Sequence, residues 1–176
     1  MLMLITGGSG SGKSAYAEQT VLAQGAAKRY YIATMQPWDE ECKCRIARHR
    51  QMRADKGFET IECYQDLHLL HVEPDSVILL ECMSNLTANE FYREDAGRSE
   101  VRNRILTGIL HLQKLAKTLM IVTNEVFLDG TDYDRETREY QQILASINRE
   151  LAALADEVTE VVFGIPITVK SKGEIS

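Results

Sequence analysis

The chain has 176 residues, 44% of them hydrophobic and 26% charged, with a formal net charge of −6. That length suits a single domain spanning 1–176 with its own core, and the acidic balance provides no basic field to recruit nucleic acid. Every apolar stretch falls short of a membrane span, and the start carries no basic leader, so a cytoplasmic location is expected.

Met1 to Ile5 is a short apolar run and reads as a buried strand. Gly7, Gly8, Ser9, Gly10, Ser11, Gly12, Lys13 and Ser14 follow, and they fit G-x-x-x-x-G-K-[ST]. Ala15 to Ala23 then reads as a helix, so the glycines lie where a strand hands over to a helix N-terminus. Backbone N–H groups of such a loop cradle phosphate oxygens. Lys13 places a point charge on the β/γ-phosphates, and Ser14 offers its hydroxyl to Mg²⁺.

Arg29 to Thr34 reads as a second strand. Asp39 caps a helix predicted to run to about Lys56, with Glu40 and Glu41 favoured in its first turn and Gly57 closing it. Phe58 to Glu62 is a third strand, and Asp66 to His71 a short helix. The apolar run from Val77 ends in Glu81, and helices follow at about Asn85–Tyr92 and Arg98–Lys117. Leu119 to Thr123 is a strand, Thr131 to Asp134 opens a long helix to about Asp156, and Val158 to Phe163 is another strand. Gly164 to Pro166 is expected to break it, with a short return over Ile167–Val169 and a frayed polar tail. Alternating apolar strands and helices define an α/β fold, P-loop NTPase-like, with a mostly parallel sheet covered by helices on both faces. The loops after the strands then share one edge, where ligands bind.

The four cysteines are Cys42, Cys44, Cys63 and Cys82. Cys42 and Cys44 point to different faces of a helix, poor geometry for a disulfide or a zinc pair, and reduced thiols are expected. Glu81, at a strand end, suits a metal ligand or a base toward a substrate hydroxyl, beside the phosphate loop if the two strands are neighbours. Asn124-Glu125 reads equally as pocket lining or as a turn. His68, His71 and His111 lie among leucines and read as core or boundary residues. His49 stands among arginines, and positions 45, 49, 52 and 53 share one helical face. Cations there suit a triphosphate and its departing pyrophosphate and favour a neutral, nucleophilic imidazole. A solvated basic face with a bystander histidine fits the same residues.

In this order the motifs resemble a known family. They are Ile5-Thr6-Gly7-Gly8 with Ser11 to Ser14; Tyr31-Ile32-Ala33-Thr34; Arg45-Ile46 with His49 and Arg53; Thr60-Ile61-Glu62; Leu79 to Cys82 with Asn85-Leu86; Val122 to Val126; and Asn148 with Leu151-Ala152, Ala155-Asp156 and Val158. The chain is similar to the bifunctional adenosylcobinamide kinase/adenosylcobinamide-phosphate guanylyltransferases of cobalamin biosynthesis. The resemblance implies phosphorylation of adenosylcobinamide by GTP or ATP, then transfer of GMP from GTP onto adenosylcobinamide phosphate. It implies that His49 is guanylylated, and that Thr34, Met35, Gln36, Arg50, Gln51, Met52, Arg53, Glu62 and Glu81 border the nucleotide. It also implies a homotrimer. The chain departs from the family at Phe127–Asp134, where many members carry a glycine-rich, proline-ended segment, and at Arg48, where a second histidine sometimes stands. A small-molecule kinase without guanylyl transfer, a guanylyltransferase without kinase activity, and a nucleotide switch that transfers nothing are the rival functions.

Overall fold

In the computed structural model, residues 1–25, 28–124 and 133–173 are described, Met52 by its backbone only. The elements run β1 (Leu2–Thr6), α1 (Lys13–Ala23), β2 (Arg29–Ala33), α2 (Glu40–Arg53), β3 (Phe58–Glu62), β4 (Val77–Leu80), α3 (Met83–Phe91), α4 (Val101–Leu115), β5 (Thr118–Val122), α5 (Arg135–Leu154), β6 (Glu157–Val162) and β7 (Ile165–Lys170). Single 3-10 turns lie at Leu67–Leu69 and Arg98–Glu100.

Among the described residues seven strands make one sheet, ordered β3-β2-β4-β5-β1-β6-β7. Every pairing is parallel except β6 with β7. The central strands are apolar at successive positions because both faces are covered, as a parallel sheet demands. On one face Met3, Ile5, Leu79, Met120 and Val122 pack against Ala17 and Val21 of α1. On the other, Leu2, Leu4, Ile78, Leu80, Leu119 and Ile121 pack against α3, α4 and α5 through Leu86, Ile105, Ile109, Ile147 and Leu151. Alternate residues along each strand thus fill separate cores.

The edges differ from the centre. β3 is mostly exposed, consistent with its Glu59 and Glu62. The end of the chain departs from expectation, since Pro166 lies inside β7 rather than ending a strand. Phe163 (φ 50°) and Gly164 (φ 80°) form the two-residue turn of a β6–β7 hairpin. A proline fits there because β7 is an edge strand, where a missing N–H costs no ladder bond. The stretch expected as a helix from Asp66 to His71 is only a 3-10 turn, and His68 and His71 are exposed rather than packed. His111 meets the chain through Nε2, 3.0 Å from the Leu70 carbonyl.

That turn presses closely on α4. A Cβ at Gly108 would stand 2.4 Å from the Leu67 Cβ and 3.2 Å from the His68 nitrogen. In an open helix Gly→Ala gains about 1 kcal/mol; here the overlap wins, because neither neighbour is a flexible chain end. Gly108→Ala is expected to destabilise the fold by about 1–3 kcal/mol, read as a lower urea midpoint at unchanged m-value.

Helix α2 has almost no apolar stripe, so core burial does not hold it. Asp39 caps it, accepting from the Cys42 N–H at 2.7 Å. Lys43–Glu40 (2.6 Å) and Arg45–Glu41 (2.8 Å) pair along its surface. What ties its second half to the sheet is a set of polar side chains.

Candidate active site

The glycine-rich loop, Gly7–Gly12, leads from β1 into α1, which begins at Lys13. Gly12 stands just before the helix at φ +91°, open to glycine at no steric cost, and no side chain caps the first turn. The leading N–H groups of α1 therefore face outward, an arrangement suited to an anion. Lys13 folds back over the loop and donates from Nζ to the Gly8 carbonyl at 2.9 Å. It is only 8% exposed. Burial pushes its ammonium below the ordinary lysine value, and nearby Cys82 opposes that shift. Ser9, Gly10 and Ser14 are exposed. Ser11 Oγ is buried without a hydrogen-bond partner, an acceptor and donor waiting at the loop's inner wall.

The hairpin turn supports this loop from behind. Gly164 N–H donates to the Ser11 carbonyl at 2.8 Å. A Cβ on Gly7 would lie 2.5 Å from the Val161 carbonyl oxygen, so the loop approaches β6 more closely than any other residue type permits.

Glu81 follows β4, and its N–H continues the ladder to the Ile32 carbonyl at 3.1 Å. The condition of neighbouring strands is not met, because β5 lies between β1 and β4. Two interstrand spacings, about 10 Å, therefore separate the two strand ends. What stands beside Glu81 is His49: Nδ1 of the ring is 3.2 Å from Glu81 Oε1, with the carboxylate side chain 11% exposed and the imidazole 34%. A carboxylate can only accept from Nδ1, so Nδ1 carries a proton and Nε2 bears the lone pair in the neutral ring.

Beneath the pair lies Tyr31. Its register on β2 sets it on the same sheet face as Glu81, and its hydroxyl faces that carboxylate. Burial first, then the Glu81 charge, push the phenol well above its usual range, so it stays a neutral donor. The Arg53 guanidinium stacks 3.4 Å from the Tyr31 ring centroid. Arg53 is 5% exposed, and its Nε and Nη1 lack hydrogen-bond partners. The end of α2 is further anchored by Lys56, which pairs with Glu18 of α1 at 2.5 Å.

A polar net ties the strand ends together. Thr34 is buried and donates from Oγ1 to the Cys82 carbonyl at 3.0 Å, while Asn89 Nδ2 donates to the Thr34 carbonyl at 2.8 Å. Asn124 Nδ2 donates to Ser84 Oγ at 2.9 Å, and Tyr140 donates from its hydroxyl to the Ser84 carbonyl at 3.1 Å. Asn124 is thus a tie at the functional edge; Glu125 and most of Phe127–Asp134 lie outside the described residues.

Of the other site residues expected from sequence, Met35 and Gln36 are half-buried on the segment after β2, and Gln51 is exposed. The Met52 side chain lies outside the described set. Arg50 pairs with Glu62, which also accepts from the Tyr64 hydroxyl at 2.9 Å. The expected cationic face does not gather around His49. Of its two arginines, Arg45 pairs with Glu41 and Arg53 turns inward over the Tyr31 ring, while Arg50, off that face, pairs with Glu62. Ser14 opens α1, which packs over both β4 and β5, and Glu81 follows β4 on the same edge. Tyr31 and Cys82 stand out only in the structure, because their proximity to Glu81 and Lys13 depends on strand order.

A parallel α/β sheet, a glycine-rich loop with a buried lysine, and a carboxylate-held imidazole on the same edge define an enzyme of phosphoryl or nucleotidyl transfer. A family model described as cobinamide kinase/cobinamide phosphate guanyltransferase matches residues 3–169, and the chain belongs to this family. It is 34% identical over 184 residues to the bifunctional adenosylcobalamin biosynthesis protein CobU of Escherichia coli strain K12, covering 97% of this chain and 100% of that one. The CobU protein of Salmonella typhimurium strain LT2 is likewise 34% identical, at 97% and 100% coverage. The CobP protein of Pseudomonas aeruginosa is 29% identical over 174 residues, covering 96% and 97%. In fold, the chain resembles the RadB recombinase crystal structure at a TM-score of 0.51 and 16% identity, covering 90% of this chain and 73% of that one.

Proposed function

We infer that this enzyme phosphorylates adenosylcobinamide with GTP or ATP and then transfers GMP from GTP to adenosylcobinamide phosphate through His49. The observation that carries the reading is the His49–Glu81 pair on the sheet edge that also bears Lys13. Gly7 to Ser14 hold the triphosphate, Lys13 neutralises it, and the unpartnered Ser11 hydroxyl finds an oxygen. In the kinase step Glu81 accepts the proton of the acceptor hydroxyl. In the transferase step Nε2 of His49 attacks the α-phosphorus of GTP. A P–N bond forms, the bond to the bridging oxygen breaks, and pyrophosphate departs with that electron pair. A phosphate oxygen of the acceptor then attacks the same phosphorus, and the histidine leaves. Two easier displacements replace one hard one. Thr34, Met35, Gln36, Arg50, Gln51, Met52, Arg53 and Glu62 border the nucleotide in this reading, and Arg50 and Arg53 turn from carboxylate and ring to phosphate.

Among the described residues no group of three or more His, Cys, Asp or Glu forms a cage for a metal. Magnesium with a nucleotide needs few protein ligands, and the exposed Ser14 hydroxyl, with the Glu81 carboxylate through water, would hold it. Bound there, Mg²⁺ would supply charge neutralisation on the phosphates. No helix among the described residues is long and apolar enough to cross a membrane. A cytoplasmic homotrimer completes the reading.

The test is incubation with GTP labelled at the α-phosphorus. Label is expected on the protein, stable to alkali and lost in acid, and absent in His49→Ala, which should still phosphorylate adenosylcobinamide. Label that persists in His49→Ala, or that arrives only from the γ-position, overturns the transferase reading. No labelling alongside intact phosphorylation identifies a kinase alone.

A further inference from the structure

A second cleft opens on the same sheet edge, on the α3 side of the segment after β2. It measures about 600 Å³ and runs between Gln36 and Trp38 on one wall and Asn89 and Tyr92 on the other. Trp38, the only tryptophan of the chain, is 78% exposed and Tyr92 is 52% exposed. Two large rings exposed on facing walls within one chain are an unusual use of aromatic surface. The cleft floor is joined to the active edge, since Asn89 holds the Thr34 carbonyl and Thr34 holds that of Cys82. Trp38 directly precedes the N-cap of α2, the helix that carries His49.

The polar groups define what the cleft accepts. Arg93 is no free anion receptor: its guanidinium already donates to Asp95, Asp66 and Glu90. Glu94 lines the cleft as an exposed carboxylate. Gln65 and Asn89 each use their amide NH₂ on a backbone carbonyl, Gln65 on Asn89 and Asn89 on Thr34, which leaves their carbonyl oxygens as acceptors. The cleft therefore disfavours a second nucleotide. It suits a ligand with apolar surface for two rings, N–H donors for amide oxygens, and no negative charge.

We propose that this Trp38–Tyr92 cleft seats the corrin edge of the acceptor. A cobalt(III) corrinoid carries methyl groups, a rim of primary amides and a net positive charge, and each matches one feature of the walls. A whole corrinoid exceeds the cleft, so one edge enters while the aminopropanol arm reaches past Thr34 toward Glu81 and Lys13. The proposal rests on the reading above that the acceptor is adenosylcobinamide.

The experiment measures two things on each variant: equilibrium dialysis with adenosylcobinamide without nucleotide, and self-labelling by α-labelled GTP without acceptor. Trp38→Ala combined with Tyr92→Ala is expected to weaken adenosylcobinamide binding about tenfold or more, with self-labelling unchanged. Glu94→Arg, an exposed change that cannot disturb the core, is expected to weaken it several-fold, and less so at high salt. Adenosylcobinamide binding within twofold of wild type in both variants overturns the proposal. Wild-type protein that binds adenosylcobinamide through these residues but never self-labels leaves the cleft standing and removes the histidine chemistry instead.

Discussion

Glu81→Gln is expected to slow self-guanylylation by about 10³–10⁴-fold. The amide preserves the shape of the side chain and its place at the end of β4, so the fold should be untouched. What changes is the hydrogen bond across the 3.2 Å gap to His49 Nδ1. A carboxylate can only accept there, which fixes the proton on Nδ1 and frees Nε2. A glutamine can present its NH₂ to Nδ1 and force the proton onto Nε2, where it blocks attack on phosphorus. Phosphorylation of adenosylcobinamide should fall in the same variant for a different reason, the loss of a proton acceptor. His49→Ala separates the two effects, since it removes the nucleophile and leaves the base. The measurements are single-turnover labelling by α-labelled GTP and steady-state phosphorylation of adenosylcobinamide. Rates within tenfold of wild type for both would show that Glu81 neither orients the imidazole nor accepts a proton.

The sequence revealed strands better than neighbours. Leu2 to Ile5 and Val77 to Leu80 were legible because a central parallel strand is apolar on both faces, and the Gly7–Ser14 spacing carries its own local geometry. Asp39 was legible as a cap and accepts from the Cys42 N–H; Asp134, legible only within the stretch that opens the long helix, accepts from the Thr137 N–H in the same way. Strand order has no local signature, and β5 separates the strand before Glu81 from the strand before the loop for reasons only the assembled sheet contains. The same holds for Tyr31, whose position beneath Glu81 follows from the register of β2 on β4. Helical spacing put Arg45 and Arg53 on the face of His49 but was blind to competition. Glu41, one turn back, takes Arg45, and the Tyr31 ring takes Arg53. Pro166 misled because the rule against proline in strands applies to interior strands, and nothing in Ile165–Lys170 announces an edge.

Lys13→Ala is expected to abolish both reactions together, by about 10³-fold or more in kcat/KM, with nucleotide affinity falling as well. The side chain is spent on no structural ion pair. Its hydrogen bond, to the Gly8 carbonyl, folds it over the loop. A triphosphate replaces that bond with charge-assisted ones and restores what burial takes from the ammonium. The pH dependence follows from that cause. Because burial lowers this lysine's pKa from 10.5, the folded chain sheds the proton before the unfolded chain does. In that window the unfolded state binds more protons, so the group adds stability to the empty protein as pH rises. Bound nucleotide has the opposite preference and holds the proton on. GTP affinity should therefore begin to fall at a pH below the ordinary lysine range, and that alkaline limb should vanish in Lys13→Ala. Stability of the empty protein should barely change in this variant, since a small residue at the start of α1 suits the helix. A loss of both activities accompanied by unfolding would instead mark Lys13 as a structural closure of the loop.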